Sequence, residues 1–481
     1  MTTLLAKDCS PFFESKNQNA LKQDAEKALK SFLNFFYKAY PKSLEEDCVV
    51  QLKPSIISYP TPQDERKAQT LWWAGRYIGI ANIKEGSKIY EISIRPRFGE
   101  QFLLMVLSDV YNIKTFNHDG IATDSKSNDW FGSLLHVLQR KMWIEKCTHA
   151  NRFGLPRKTI KQMHQGLTLQ GTIDIRRTMR SWMLNKEMVT STYEKVLDEH
   201  ICKIVYEAHR ILSKSVKGKT KKEKKQITAL STSIPPLVQE TIHALDSEYK
   251  GTLFTLTEND YKRIRYKSIY ASWKPLVDFS WSVIRNRNLS MKSADAISDC
   301  VFVDMAEIWE AFLRKKLGEG LHDEGWRVWS VEECEQKVYK SGFFGRKIIP
   351  DIVLQRNVDG KEQFLIFDAK YKRMTGNKLD VDRTDFFQIH TYIHYFQHTY
   401  PDGEVLLGGL LYPLTKNSNQ EEVNIDEVTG AHALFGREDG LFNTKFIVDG
   451  IVCPKSNEEF DKGSIDSNID GLIERIKDNI Q

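Results

Sequence analysis

Cysteine is scarce. Seven in 481 residues (Cys9, Cys48, Cys147, Cys202, Cys300, Cys334 and Cys453) are scattered along the chain, and no two form a CxxC pair. That odd set argues against a disulfide framework and a zinc ribbon, and fits a reducing cytoplasm. No uninterrupted apolar run reaches the roughly 18 residues of a membrane span, so no membrane partner is expected. The opening Met1-Thr2-Thr3-Leu4-Leu5-Ala6-Lys7-Asp8 lacks a basic segment followed by a long apolar core, so no secretory signal is expected. Neither sign of charge is in large excess: 69 Lys and Arg against 64 Asp and Glu leave +5, which neither requires nor excludes nucleic acid. A nucleotide-hydrolysing loop is missing as well. Gly218-Lys219-Thr220 imitates the end of a P-loop, but Ser213 stands where the first glycine is required, and no apolar strand precedes it. Asn377-Lys378-Leu379-Asp380 imitates a guanine-reading NKxD, which carries nothing without a P-loop. His390, His394 and His398 recur every four residues, yet no HExxH or cysteine set completes a zinc site. They lie among aromatic residues and read as packing.

What is present has globular proportions: 41% hydrophobic, 11% aromatic and 28% charged. At about 150 residues per domain the length predicts two to four domains. The pattern predicts an α+β multidomain chain. A β-rich N-terminal domain is placed at 1–126, a mainly helical middle region with a short β hairpin at 127–295, and a C-terminal α/β domain with an extension at 296–481. Residues 20–40 read as an amphipathic helix. Two β-rich runs, 71–80 and 89–96, flank the turn Lys84-Glu85-Gly86-Ser87 and predict a hairpin. The period turns helical over 100–111, and 113–128 is polar and turn-rich, a boundary. A second helix is expected at 130–147 and a β-like piece at 166–175, before a helical region to about 295. The basic run at 214–225 reads as a solvated loop rather than a DNA contact. From 300 the expected order is a helix at 301–317, strands at 347–354 and 364–371, a helix at 384–397 and a strand at 405–412.

Residue types for chemistry concentrate in that last part. Asp351 sits in Ile349-Pro350-Asp351-Ile352, and Asp368 and Lys370 sit in Phe367-Asp368-Ala369-Lys370-Tyr371. Asn357-Val358-Asp359-Gly360 between them predicts a hairpin turn that folds Asp351 back towards Asp368. Asp368 and Lys370 are two apart and share a face of a strand. Metal-assisted phosphodiester hydrolysis needs this set. Hard oxygens hold Mg²⁺, the metal polarises the phosphate and lowers the pKa of a bound water, and a lysine offsets charge developing on phosphorus. The spacing PD…DxK is the signature of the PD-(D/E)XK nuclease superfamily. Surface carboxylates at strand ends, with a lysine pairing one of them, show the same residue types, and the spacing alone does not separate the two. Upstream, Phe302, Met305, Ala306, Trp309, Phe312, Leu313 and Leu317 form a helical apolar stripe. Glu310 at its edge is a candidate further metal ligand, with Glu307 as competitor. Downstream, Gln388 and Tyr392 stand four apart on one helix face, the QxxxY pattern of RecB-like nucleases.

With these motifs on the page, the chain resembles the McrC family, the nuclease subunits of McrBC modified-cytosine-dependent restriction systems. The resemblance runs over about residues 70–415. It is carried by Ala74-Gly75-Arg76-Tyr77, Ile94-Arg95-Pro96-Arg97-Phe98-Gly99, Gly171-Thr172-Ile173-Asp174-Ile175 and the helix around Trp309-Glu310. Pro350-Asp351, Asp368-Ala369-Lys370-Tyr371-Lys372, Asp385-Phe386-Phe387-Gln388 and Leu411-Tyr412-Pro413 complete it. Gln170 departs from the arginine usual before Gly171. The resemblance implies a Mg²⁺-dependent endonuclease, with Mn²⁺ as substitute, that cuts double-stranded DNA. Its catalytic set would be Asp351, Asp368, Lys370, Glu310, Gln388 and Tyr392, and its metal set Asp351, Asp368, Ala369 and Glu310. It implies an oligomeric McrB-like AAA+ GTPase partner, stimulated through the N-terminal part. A core role is the ordinary reading of Trp72 and Trp73, and a solvated one of Arg76, Arg95 and Arg97, but the resemblance favours 70–112 as the docking region. A stand-alone nuclease of the same superfamily and a non-catalytic cap are the alternatives.

Overall fold

The structure, a computed structural model, describes residues 2–12, 25–33, 49–54, 70–85, 88–111, 128–215, 234–292, 297–338, 347–372, 382–414, 432–433, 444–454 and 460–480. The chain is mixed α+β. It divides into two compact units, residues 1–122 together with 293–481, and residues 123–292. Both ends of the sequence thus belong to one unit.

Five strands open that unit: β1 (Thr2–Lys7), β2 (Val50–Pro54), β3 (Thr70–Ala74), β4 (Tyr77–Glu85) and β5 (Lys88–Arg95). β4 and β5 form the expected hairpin, with Gly79 opposite Ile94 and Glu85 opposite Lys88. The turn residues Gly86 and Ser87 lie outside the described residues. The run expected as one strand at 71–80 is broken at Gly75-Arg76, and β3 pairs with β2 instead. β1 lies parallel to β5. Alternation along β5 turns Tyr90, Ile92 and Ile94 inward against Leu4, Ala6, Phe32 and Trp72. Helix α1 (Glu100–Tyr111) occupies the segment whose period predicts it. Of the helix expected at 20–40, residues 25–33 are described and are helical. Nearly all of the boundary at 113–128 lies outside the described residues.

The second unit holds α2 (Asn128–Ala150), β6 (Arg157–Gly166), β7 (Thr172–Ile173), α3 (Ile175–Asn185) and β8 (Met188–Leu197). After these come α4 (Glu199–Ser215), α5 (Pro236–Tyr249) and α6 (Trp273–Lys292). The helices enclose Trp143, Ile204, Val205, Trp273 and Leu276, and the Trp143 indole donates to Ser280 Oγ at 3.0 Å. The helical region expected from 175 to about 295 is interrupted over 188–197. β8 fills that interruption and pairs with β6 from Arg157 opposite Leu197 to Gly166 opposite Met188. Val189, Thr190 and Thr192 favour a strand through their branched Cβ atoms. The expected short hairpin is a three-stranded sheet in the order β6-β8-β7. Residues 216–225 of the basic run lie outside the described residues.

The chain then returns to the first unit through β9 (Ile297–Asp304), antiparallel to β4. The helix expected from 301 therefore begins later, as α7 (Met305–Gly320). Asp304 caps it by accepting from the Ala306 N–H at 2.9 Å. β10 (Arg327–Val328) follows, then the small pair β11 (Gln336–Lys337) and β12 (Lys347–Ile348). β13 (Ile352–Val358), β14 (Lys361–Ala369), α8 (Arg383–Thr399), β15 (Glu404–Leu414), β16 (His432–Ala433) and β17 (Lys445–Val452) complete a six-stranded sheet, ordered β10-β13-β14-β15-β17-β16. β14, β15 and β17 are mutually parallel, and β14 and β15 are buried continuous apolar runs, as central parallel strands must be. The C-terminal extension supplies β17 and α9 (Lys462–Ile480), which buries Ile465, Ile469, Leu472 and Ile476.

Candidate active site

The hairpin turn sets the geometry. Asp359 and Gly360 take φ of 51° and 83°, the positive values that a two-residue I′ turn demands and that Asp-Gly tolerates. With Val358 opposite Lys361, the ladder runs back to Ile352 opposite Phe367. One step further on, Asp351 faces Asp368. Both lie at the carboxyl end of β14, where the chain leaves the sheet on its way to α8. Open α/β sheets bind ligands outside that end of their strands.

Asp351 Oδ2 accepts from the Ala369 N–H at 2.8 Å, and Arg314 donates to the Asp351 main-chain oxygen. Asp368 is 1% exposed. Its Oδ2 lies 2.5 Å from Lys370 Nζ, and its Oδ1 makes no hydrogen bond. Lys370 Nζ also donates to Gln388 Oε1 at 3.0 Å and lies 3.3 Å from Asp385 Oδ1. Three side-chain oxygens thus lie within 3.3 Å of the ammonium. Gln388 Nε2 donates to Tyr392 Oη at 2.6 Å. The spacing of four that put Gln388 and Tyr392 on one face of α8 brings both to this cluster.

Electrostatics follow from crowding. Burial, then the charges of Asp368 and Glu310, push the Asp351 carboxyl well above the usual carboxylate range. Burial also raises Glu310, against the opposing pull of Arg314. Burial works to lower Lys370, but Asp368, Asp385 and Asp351 outweigh it and raise the ammonium above its ordinary value. Burial moves the Tyr392 phenol up to about 12. Of the two candidate glutamates, Glu310 is the one whose charge Asp351 feels. Its Oε1 is held by Arg314 Nη2 at 2.5 Å, however, so Arg314 bridges Glu310 and the Asp351 main chain.

Two site residues escaped the sequence reading. Asp385 is buried and grips Lys370 and, at 3.0 Å, Lys372. It stands three before Gln388, on the same helix face, which was the available signal. Arg314 stands four after Glu310, the spacing of a helical ion pair. Among the described residues no three His, Cys, Asp or Glu side chains form a ready metal cage. Arg314 holds the Glu310 carboxylate and Lys370 that of Asp368. His390 Nδ1–H donates to the Phe386 carbonyl at 2.7 Å, and its ring centroid lies 3.9 Å from that of Phe386. Of the residues named for docking, Trp73, Arg76 and Arg95 are half-buried. Trp72 and Arg97 are buried, Arg76 pairs with Asp304 and Arg95 with Glu100.

A mixed α+β chain with carboxylates, a lysine and a glutamine gathered at the carboxyl end of a central strand has the parts of a hydrolytic site. The chain belongs to the McrBC 5-methylcytosine restriction system component family, whose profile matches residues 73–413, and it is a McrC-like member. It is similar, at 15% identity and a TM-score of 0.38, to a chain of the refined half-complex from the tetradecameric assembly of Thermococcus gammatolerans McrB AAA+ hexamers with bound McrC. That likeness covers 98% of this chain and 99% of that one. It is also similar, at 15% identity and a TM-score of 0.30, to a chain of the cryo-EM structure of the Thermococcus gammatolerans McrBC complex, covering 66% of this chain and 88% of that one. No curated protein matches it. Among the described residues no helix is long and apolar enough to cross a membrane.

Proposed function

We propose that this chain is the DNA-cutting subunit of a modification-dependent restriction complex. It is a metal-dependent endonuclease of the PD-(D/E)XK kind, acting with a GTP-hydrolysing AAA+ partner of the McrB type whose GTPase it stimulates. The observation that carries this reading is Asp368, buried with an oxygen lacking any hydrogen bond, opposite an Asp351 carboxyl that burial and the Asp368 charge push above the usual range. Both features suit carboxylates that await a cation.

Mg²⁺, or Mn²⁺ in its place, would supply a polarised phosphate and a bound water of lowered pKa. Asp351 and Asp368 would hold it, since Mg²⁺ commonly takes one or two carboxylates and fills its remaining positions with water and phosphate oxygens. The Ala369 carbonyl would add a neutral ligand, and Glu310, paired with Arg314 here, would be a further candidate ligand. Lys370, relieved of Asp368, keeps Gln388 and Asp385 as partners and so stays charged and aimed at the phosphate. Gln388 thereby works through the lysine. Gln388→Ala should cost about 10–100-fold in cleavage rate and much less in DNA affinity, and single-turnover cleavage set beside equilibrium binding separates the two. Equal losses in both would make Gln388 a DNA contact instead.

The metal itself is testable without cleavage. A carboxyl whose folded pKa is raised binds its proton more tightly in the folded state. Asp351 therefore contributes stability that is present at low pH and is lost as pH rises from the ordinary carboxylate range through its raised folded value. A divalent cation must displace that proton. Ca²⁺, which activates water poorly, should raise the melting temperature more at about pH 8 than at about pH 5, and should support DNA binding without cutting. An equal Ca²⁺ shift at both pH values, or none at either, would count against a metal at Asp351.

A further inference from the structure

We propose that Arg97 and Asp8 are positioning residues for Lys370, so that the N-terminal part of the chain completes the nuclease site. This rests on the nuclease reading above and names residues that act behind the site.

Alternation past the end of β14 turns Asp368, Lys370 and Lys372 to one face and Tyr371 to the other. On the front, Asp385 reaches both lysines. On the back, Tyr371 is buried in a pocket made largely by the N-terminal part. The Arg97 guanidinium lies 4.6 Å from the Tyr371 ring centroid and 4.6 Å from that of Phe98. Its Nη2 donates to the Lys372 carbonyl at 3.1 Å. Asp8, fully buried at the end of β1, accepts from the Arg97 main-chain N–H at 2.5 Å and lies 3.9 Å from Arg97 Nε. The Cys9 thiol donates to the Tyr371 carbonyl at 3.7 Å. The three residues 370–372 are thus clamped between α8 and a buried ion pair whose members stand far away in sequence.

The chemistry of that pair argues for position rather than filling. Burying a guanidinium and a carboxylate is unfavourable, and apolar side chains of similar volume would occupy the space without that desolvation. What the guanidinium adds is a directed bond to the Lys372 carbonyl, two residues past Lys370, and a face against the intervening ring. Beyond Ala369 the sheet fixes this segment through the Lys370 N–H to the Leu411 carbonyl. A catalytic group displaced by about 1 Å loses on the order of 100-fold in rate.

The test uses the full chain with Mg²⁺, DNA and the AAA+ partner, comparing wild type, Arg97→Met and Asp8→Asn. Arg97→Met keeps the bulk and removes the bond. The expected result is a kcat lower by on the order of 100-fold with KM unchanged, together with faster amide exchange in 369–372 and unaltered exchange in β13 and β15. Asp8→Asn, which keeps an acceptor for the Arg97 N–H, covers the case in which Arg97→Met does not fold, and should show the same split with a smaller loss. Wild-type kcat in a folded Arg97→Met or Asp8→Asn variant would overturn the clamp. A wild-type chain that fails to cut at all would instead overturn the nuclease reading, while the exchange measurement would still report on the clamp.

Discussion

Asp368→Ala should stop DNA cleavage, with a rate loss on the order of 1,000-fold or more, while the protein stays folded and holds DNA. Lys370→Ala should do nearly the same. Asp368 is the only one of the proposed ligands with a buried oxygen that has no hydrogen bond, so its removal takes away the most committed metal donor. Its removal also takes a negative charge from beside Asp351, whose carboxyl it pushes up, and leaves Lys370 with Gln388 and Asp385. The melting temperature of Asp368→Asn should therefore be no lower than that of wild type, as expected where function holds like charges together. Cleavage of a modified plasmid under saturating Mg²⁺, with the melting curve of the same sample, reads both effects. Wild-type cutting by Asp368→Ala would remove the site from this part of the molecule. A large drop in melting temperature would make Asp368 a structural ion-pair partner instead.

How much of this could be read beforehand depends on whether the signal was local. Asp359-Gly360 fixes a two-residue turn, that turn fixes a register, and the register delivers Asp351 to Asp368. All of that lies within 18 residues of chain. The period of two then places Lys370, and the helical period places Gln388 and Tyr392. Arg97 reaches Lys372 across 275 residues, with Asp8 further off still, and nothing in either segment announces it. Trp72 sits in the core with Leu4, Phe32 and Phe302, as the ordinary reading of a tryptophan expects, but Arg97, whose ordinary reading is solvated, is buried against Tyr371 and Lys372 after the end of β14. β9 itself was read as the start of a helix, since Val301, Phe302 and Val303 run straight into the apolar stripe of α7. Only the Asp304 cap separates the two. The parallel partner β17 was missed because it lies beyond a long intervening segment, with no local pattern to pair it with β15.

Met183→Asp combined with Leu184→Asp should abolish stimulation of the partner GTPase, with affinity for the partner lower by about 100-fold. Besides 70–112, the second unit offers an exposed apolar face. α3 buries only Ser181. Its Met179, Met183 and Leu184 are 63%, 82% and 83% exposed, beside Trp182, Ile175 and, on β8, Tyr193. Monomeric surfaces seldom gather so many large apolar side chains. Met, Trp and Arg are the types enriched at interface centres, and Arg176, Arg177 and Arg180 belong to the same helix. α3 does not need this face for its own fold: Asp174 caps its start by accepting from the Arg177 N–H, and Lys186 ends it in the left-handed region at φ 58°. Surface substitutions of this kind change stability by about 0.5 kcal/mol or less, so a loss of docking will not be a loss of folding. GTP turnover by the AAA+ partner, titrated with the double variant and with Asp368→Ala, distinguishes the roles. Asp368→Ala should stimulate fully while cutting nothing. Full stimulation by the Met183/Leu184 variant would leave α3 as a face for something other than the motor.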